Sequence, residues 1–96
     1  MIKVIKNKNI ITISGHANSA EYGKDIVCAS VSSIIYTTIN ALKRINPTSI
    51  EVEDNRDMII NILSEDEISK ILIDNMFELL KSIESDYPKN LNVKES

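Results

Sequence analysis

The chain of 96 residues has very few of the residue types on which many sites depend: one cysteine, one histidine, two glycines and no tryptophan. A single cysteine cannot form an internal disulfide, so the fold does not depend on an oxidising compartment. One cysteine and one histidine also fall short of the four ligands of a closed zinc site. A C-x-x-C motif is missing, and two glycines cannot build a phosphate-binding or dinucleotide-binding loop. We therefore expect neither a metal nor a cofactor.

Charge and hydropathy argue against two further classes of partner. The net charge is −3 and the basic residues are dispersed along the sequence, whereas a protein that binds nucleic acid needs a basic surface. No uninterrupted apolar run approaches the roughly 20 residues that cross a bilayer. The first residues, MIKVIKNKN, alternate charged and apolar side chains, unlike a signal peptide. We expect a cytoplasmic protein that binds neither nucleic acid nor membrane.

The hydrophobic pattern predicts one domain over residues 1–96, because 43% hydrophobic residues suffice for a core at this length. Alternating and helical spacings separate clearly along the chain. They predict strands at 2–6, 10–14, 50–53, 58–63 and 91–93, a loop at 16–23, and helices at 25–45 and from Ser64 to Tyr87. The order ββαββαβ predicts an α+β fold, a two-layer sandwich of a small mixed or antiparallel sheet with two helices.

The second predicted helix has both a start signal and a core-facing stripe. Ser64 and Glu67 occupy the two positions of a capping box. Apolar residues then recur at spacings of three and four, which predicts the buried face of the helix. That stripe consists of Ile68, Ile71/Leu72, Asn75/Met76, Leu79/Leu80 and Ile83.

The scarce residues are concentrated in one window, SGHANSAEYGKDIVCASVS, residues 14–32. His16 follows the end of a predicted strand, and Cys28 lies in the predicted first turn of the next helix. Free N–H groups and the helix dipole at that position favour a thiolate, and a nearby imidazole can take the thiol proton. The window therefore predicts a nucleophilic cysteine with a histidine base. Taken singly, each residue has a plainer interpretation, as a small core residue, a structural histidine or a turn glycine.

Two further polar residues share a helix face with the cysteine. Asp25, Cys28 and Ser32 are spaced i, i+3 and i+7, which places them along one side of a helix. Asp25 could orient His16 or cap the helix. Ser32 could hydrogen-bond a bound peptide or its own main chain. The sequence leaves both pairs of alternatives open.

A specific motif joins these residues. It consists of Gly15-His16-Ala17, Glu21-Tyr22-Gly23, Asp25-Ile26-Val27-Cys28-Ala29 and Ser32. This pattern closely resembles the bacterial ribosomal-processing cysteine protease family, called Prp, over nearly the whole chain. The resemblance implies an endopeptidase with Cys28 as nucleophile and His16 as general base. It implies supporting or substrate-binding roles for Gly15, Ala17, Tyr22, Gly23, Asp25 and Ser32.

The resemblance also implies a substrate and an assembly state. The substrate is the N-terminal extension of ribosomal protein twenty-seven of the large subunit, whose removal supports ribosome assembly, and the protein is a homodimer. The alternative from another class is a non-catalytic, ribosome-associated dimeric binding module in which Cys28 is inert. A third interpretation, a one-cysteine redox sensor, shares the reactive thiol but predicts no peptide cleavage.

Overall fold

The computed structural model describes residues 1–15 and 24–96, with the backbone alone at residues 24 and 25. The elements of these residues follow the predicted order ββαββαβ. They are β1 (Ile2–Asn7), β2 (Ile10–Ser14), α1 (Lys24–Ile45), β3 (Ile50–Asp54), β4 (Met58–Ile62), α2 (Glu67–Asp86) and β5 (Leu91–Glu95). The predicted α+β class is confirmed, and each of the predicted elements is present to within three residues at its ends. The predicted loop at 16–23 lies outside the described residues.

The five strands form one mixed sheet in the order β3-β4-β2-β1-β5. The pairs β1–β2 and β3–β4 are antiparallel, as expected for strands joined by hairpins. The pair β2–β4 is also antiparallel and joins the two hairpins into one sheet. β5 runs parallel to β1 at the edge, with Val93 opposite Val4. Its ladder continues to Glu95, two residues beyond the predicted end of the last strand.

The core lies between the sheet and the two helices. Val4 and Ile11 from the central strands are fully buried. Val31 on α1 and Leu80 on α2 lie in the same cluster, with 2% and 0% of their surface exposed. Burial of each such side chain contributes roughly 1.5–3 kcal/mol, which makes this layer the main source of stability.

The helix α1 is more apolar as a whole than its short apolar runs suggest. By length and composition alone, Ile26–Ile45 is long and apolar enough to cross a membrane, with a mean hydropathy of 1.3. Serine and threonine interrupt the apolar runs of this helix without lowering its mean hydropathy much, which is why no long run stands out in the sequence. In the fold, Val27, Val31 and Ile35 on its inner face pack in the core, as in the central helix of many folded domains.

The predicted capping box of α2 was wrong. The N-cap is Asp66, whose Oδ2 accepts the backbone N–H of Ser69 at 3.2 Å. The Ser69 hydroxyl donates to Oδ1 of the same carboxylate at 2.8 Å. Ser64 does not cap the helix itself; its hydroxyl donates to Asp66. A carboxylate two residues later therefore replaces the predicted serine cap, because one charged side chain can accept both donors of Ser69.

The buried face of α2 is rotated from the predicted stripe. Ile68, Ile71 and Leu79 are about half exposed, at 52%, 58% and 45%. The residues that are buried are Ser69, Ile73, Met76, Phe77 and Leu80. In each predicted doublet the second residue faces the core more than the first, so the centre of the face lies about one residue later than the pattern suggests.

Candidate active site

The end of β2 is shaped by Gly15. Its φ is +84°, in the region that favours glycine. A Cβ built at this position would lie 2.1 Å from the carbonyl oxygen of Met1 and 3.0 Å from its carbonyl carbon. Only glycine allows the chain to leave the sheet this close to the start of β1. The next residue in the sequence is His16, the predicted base.

Cys28 lies on α1 and is a free cysteine. It is partly buried and packs against the hydrophobic core on one side. Because α1 begins at Lys24, Cys28 is the fifth residue and lies in the second turn, not in the first turn as predicted. The free N–H groups of a helix belong to its first turn, so they precede the backbone of Cys28 by about one turn, and the Cα–Cβ bond of Cys28 is tilted back towards them.

Cys28 borders a cleft of about 110 Å³ between α1 and one end of the sheet. From α1, Cys28, Val31, Ser32, Ile35 and Tyr36 line it. From the sheet end and its hairpin turn, the lining residues are Ile2, Ile13, Gly15, Asp54, Arg56 and Met58. Most of the wall is apolar. The cleft therefore combines the Cys28 thiol, a mainly apolar wall and a few polar groups. Such a combination suits the binding of a peptide segment.

Three of the residues predicted from the sequence meet at this cleft. Gly15, Cys28 and Ser32 all line it, and Ser32 follows Cys28 by one helical turn. Ser32 is partly buried, like Cys28. The predicted sharing of one helix face by Cys28 and Ser32 is thus present in the fold.

The other predicted site residues lie beyond what the structure describes. His16, Ala17, Tyr22 and Gly23 fall in the segment 16–23, outside the described residues. The backbone of Asp25 belongs to the first turn of α1, and its side chain is not described. Since the helix already begins at Lys24, Asp25 does not occupy the N-cap position. An acidic residue in a first turn still complements the helix dipole.

Sequence reasoning missed a polar pair at the other end of the cleft. The hydroxyl of Tyr36 donates a hydrogen bond to Oδ2 of Asp54 at 3.1 Å. This bond raises the pKa of Tyr36 above its ordinary 10.0, with smaller contributions from burial and from the negative charge of Asp54. The helical spacing could have placed Tyr36 on the same face as Cys28 and Ser32, because Tyr36 follows Ser32 by four residues, as Ser32 follows Cys28. No helical spacing could have predicted Asp54, because its place at the cleft depends on the pairing of β3 with β4.

Within residues 1–15 and 24–96, no group of three or more histidine, cysteine, aspartate and glutamate side chains could hold a metal ion. The chemistry available at the described part of the cleft is therefore that of a thiol, hydroxyls, a carboxylate and a guanidinium. Of these, only the thiol is a strong nucleophile near neutral pH.

Comparison with known proteins places this arrangement in a family. A family model described as cysteine protease Prp matches residues 1–92. A Mycoplasma genitalium protein named ribosomal processing cysteine protease Prp is 30% identical over 98 residues, covering 99% of this chain and 96% of the relative. A Bacillus subtilis protein of the same name is 33% identical over 89 residues, covering 84% of this chain and 80% of the relative.

A solved structure shares the fold. It is the Staphylococcus aureus ribosomal processing protease Prp in complex with a covalently linked product peptide. The TM-score is 0.75 and the identity 25%, over 99% of this chain and 97% of the other. The family match, together with a free cysteine at an open cleft, indicates the class of cysteine proteases. Within that class, the chain belongs to the cysteine protease Prp family.

Proposed function

We propose that this protein is a cytoplasmic bacterial endopeptidase that removes the N-terminal extension of ribosomal protein twenty-seven of the large subunit and so supports ribosome assembly. The observation that carries the proposal is the free Cys28 at the edge of a mainly apolar cleft of about 110 Å³. The family match and the relatives named as ribosomal processing proteases support the substrate class. The covalent product peptide of the S. aureus protein supports a covalent mechanism.

In the proposed reaction, Cys28 is the nucleophile and His16 the general base. His16 takes the thiol proton, and Sγ of Cys28 attacks the carbonyl carbon of the scissile peptide bond. The resulting oxyanion is held by N–H groups at the start of α1. His16 then gives its proton to the leaving amine as the C–N bond breaks, which leaves a thioester on Cys28. Water attacks the thioester and releases the carboxylic acid and the thiol.

The remaining predicted residues act on the substrate or on the pair. Ser32 lies at the cleft one turn beyond Cys28, where its hydroxyl can hydrogen-bond the main chain of an extended peptide. Gly15 follows the end of β2 with a φ of +84° and precedes His16 in the sequence. Ala17, Tyr22, Gly23 and Asp25 support the peptide or His16 in this proposal.

We also propose that the protein acts as a homodimer, as its family resemblance implies. Sedimentation equilibrium tests this directly, because the monomer has a mass of 10.8 kDa. A species of twice that mass is expected at micromolar concentration. A monomer at all accessible concentrations would contradict the dimer and leave the proposed chemistry intact.

The proteolytic function is tested with a peptide that spans the extension and the first residues of the mature ribosomal protein. Wild-type protein should cut it at one bond, as read by mass spectrometry, and Cys28→Ala should not cut it while retaining the folded circular dichroism spectrum. Ser33→Ala is the matched control on the same helix, because Ser33 is exposed and does not line the cleft. Cleavage by Cys28→Ala at the parent rate would remove Cys28 from the mechanism.

Two further measurements separate the protease from a binding module. His16→Ala should bind the peptide nearly as well as wild type but turn it over at least 100-fold more slowly. Cys28 should react with iodoacetamide faster than an ordinary thiol, with a rate that depends on the state of His16. A Cys28 that reacts like a free thiol, together with tight peptide binding and no cleavage, would establish the non-catalytic binding module instead.

A further inference from the structure

The cleft does not stop at Cys28 but continues along α1 to Tyr36. Cys28, Ser32 and Tyr36 follow one another at intervals of four residues and all line it. At 1.5 Å per residue, the eight residues from Cys28 to Tyr36 cover about 12 Å along the helix axis. An extended peptide advances about 3.3 Å per residue, so the same length holds about three to four peptide residues.

The two ends of this cleft differ in chemistry. Between them the hydroxyl-bearing Ser32 lies in a wall that is otherwise apolar and includes Ile2, Ile13, Val31, Ile35 and Met58. At the far end, the Tyr36 hydroxyl donates to Asp54, and Tyr36 is 51% exposed. A peptide that lies along α1 from Cys28 therefore passes Ser32 and a mainly apolar wall before it reaches Tyr36 and Asp54. Among the described residues that line the cleft, Asp54 and Arg56 are the charged ones.

The Tyr36–Asp54 pair presents acceptors and a negative charge. The tyrosine hydroxyl uses its proton in the bond to Oδ2, so towards a further partner its oxygen can act only as an acceptor. A carboxylate has about four lone-pair sites, and the bond from Tyr36 occupies one of them. A tyrosine phenol is neutral at physiological pH, so the carboxylate of Asp54 supplies the charge of the pair. A cationic donor is the group that fits such a pair best.

Arg56 lines the same cleft and carries the opposite charge. It lies in the turn between β3 and β4, two residues after Asp54. A positive charge there weakens the attraction of Asp54 for a second cation without removing it, since both side chains are exposed and screened by water. The expected preference for a basic side chain is therefore modest, and removal of the Arg56 charge should increase it.

We propose that Tyr36 and Asp54 form a specificity subsite that selects a basic peptide side chain three to four residues from the scissile bond. This subsite rests on the proposed protease function, since it takes its register from a scissile bond at Cys28. Exposed ion pairs have small free energies, so lysine should be preferred to glutamine by roughly two- to fivefold in kcat/KM. The preference should appear mainly in KM, because the contact is remote from the bond that breaks.

The test uses a peptide series in which one position at a time, three or four residues to either side of the scissile bond, is lysine or glutamine. Wild-type protein should prefer lysine at one or two adjacent positions on one side. Asp54→Asn should abolish that preference and Arg56→Gln should increase it. Glu51→Gln is the matched control, because Glu51 lies on the same strand and is exposed but does not line the cleft; its preference should equal that of wild type.

Each other outcome has a definite meaning. If wild type cleaves lysine and glutamine peptides equally well at all four positions, or if Asp54→Asn keeps the preference, the subsite is wrong although the protease function stands. If Glu51→Gln loses the preference as well, the effect is long-range charge and the subsite is again wrong. If wild type cleaves none of the peptides, the proposed function fails first and the subsite fails with it.

Discussion

Gly15 and Met1 approach so closely that a Cβ on Gly15 would lie 2.1 Å from the Met1 carbonyl oxygen. The contact joins the end of β2 to the start of β1, directly before His16. Gly15→Ala should therefore destabilise the protein, because alanine meets both this contact and a φ of +84°. The left-handed conformation alone costs a non-glycine residue about 1–2 kcal/mol. Urea unfolding should show at least that loss in the free energy of unfolding.

Lys8 offers the matched control for this prediction. Its φ is +57°, so this non-glycine residue holds a strained left-handed conformation in the turn between β1 and β2. Lys8→Gly relieves that strain at some cost in unfolded-chain entropy, and should leave stability unchanged or raise it by up to about 1 kcal/mol. A loss of stability in Lys8→Gly as large as that in Gly15→Ala would contradict the role of φ at both positions.

The rotated face of α2 gives a second prediction, from two neighbouring leucines. Leu80 is 0% exposed and Leu79 is 45% exposed. Leu80→Ala should lower the free energy of unfolding by about 2–5 kcal/mol, because it leaves a cavity in the core. Leu79→Ala should change it by about 0.5 kcal/mol or less, as for other surface positions. Equal losses in the free energy of unfolding would contradict this orientation of α2 and favour the one predicted from the sequence.

Asp66 gives a prediction on acid stability. Hydrogen bonds from the Ser64 hydroxyl, then from the hydroxyl and the backbone N–H of Ser69, lower the pKa of Asp66 from 3.8 to about 2. Since the folded pKa lies below the unfolded one, the stabilisation is fully present above about pH 4 and is lost as the pH falls towards 2. Urea midpoints measured between pH 2 and 6 should show this loss.

Two variants of Asp66 separate its charge from its cap. Asp66→Asn keeps a capping acceptor but does not titrate, so its urea midpoint should converge with that of wild type at low pH. Asp66→Ala removes the cap at all pH values and should lower Tm at pH 7 by roughly 4–8 °C. A constant difference between wild type and Asp66→Asn from pH 2 to 6 would show that the carboxylate does not titrate as stated.

Much of the fold could be predicted because its signals are local. Alternation in β1 to β4 and the helical spacing in α1 each depend on a few neighbouring residues, and these elements are present close to the predicted bounds. The exact face of α2 could not be predicted, since doublets such as Leu79/Leu80 fit two orientations and packing against α1 and β5 chooses between them. The parallel placement of β5 beside β1 depends on pairing across the whole chain.

The candidate site divides in the same way. Gly15, Cys28 and Ser32 were predicted from residue type and spacing within one window, and they meet at one cleft. The pair of Tyr36 and Asp54 is separated by 18 residues and forms only when the β3–β4 hairpin reaches α1. No local pattern contains such a contact. The placement of Cys28 in the second turn followed from a helix start at Lys24, one residue before the predicted one.

The central claim is that the sulfur of Cys28 forms a covalent bond to the substrate. Intact-mass spectrometry of an acid-quenched reaction, with the extension peptide in excess, measures this directly. We expect a transient protein species heavier by the N-terminal peptide fragment minus one water. It should be absent in Cys28→Ala and accumulate in step with release of the C-terminal fragment. Cleavage that proceeds with no such adduct on Cys28, in quenched samples taken throughout the first turnover, would contradict it.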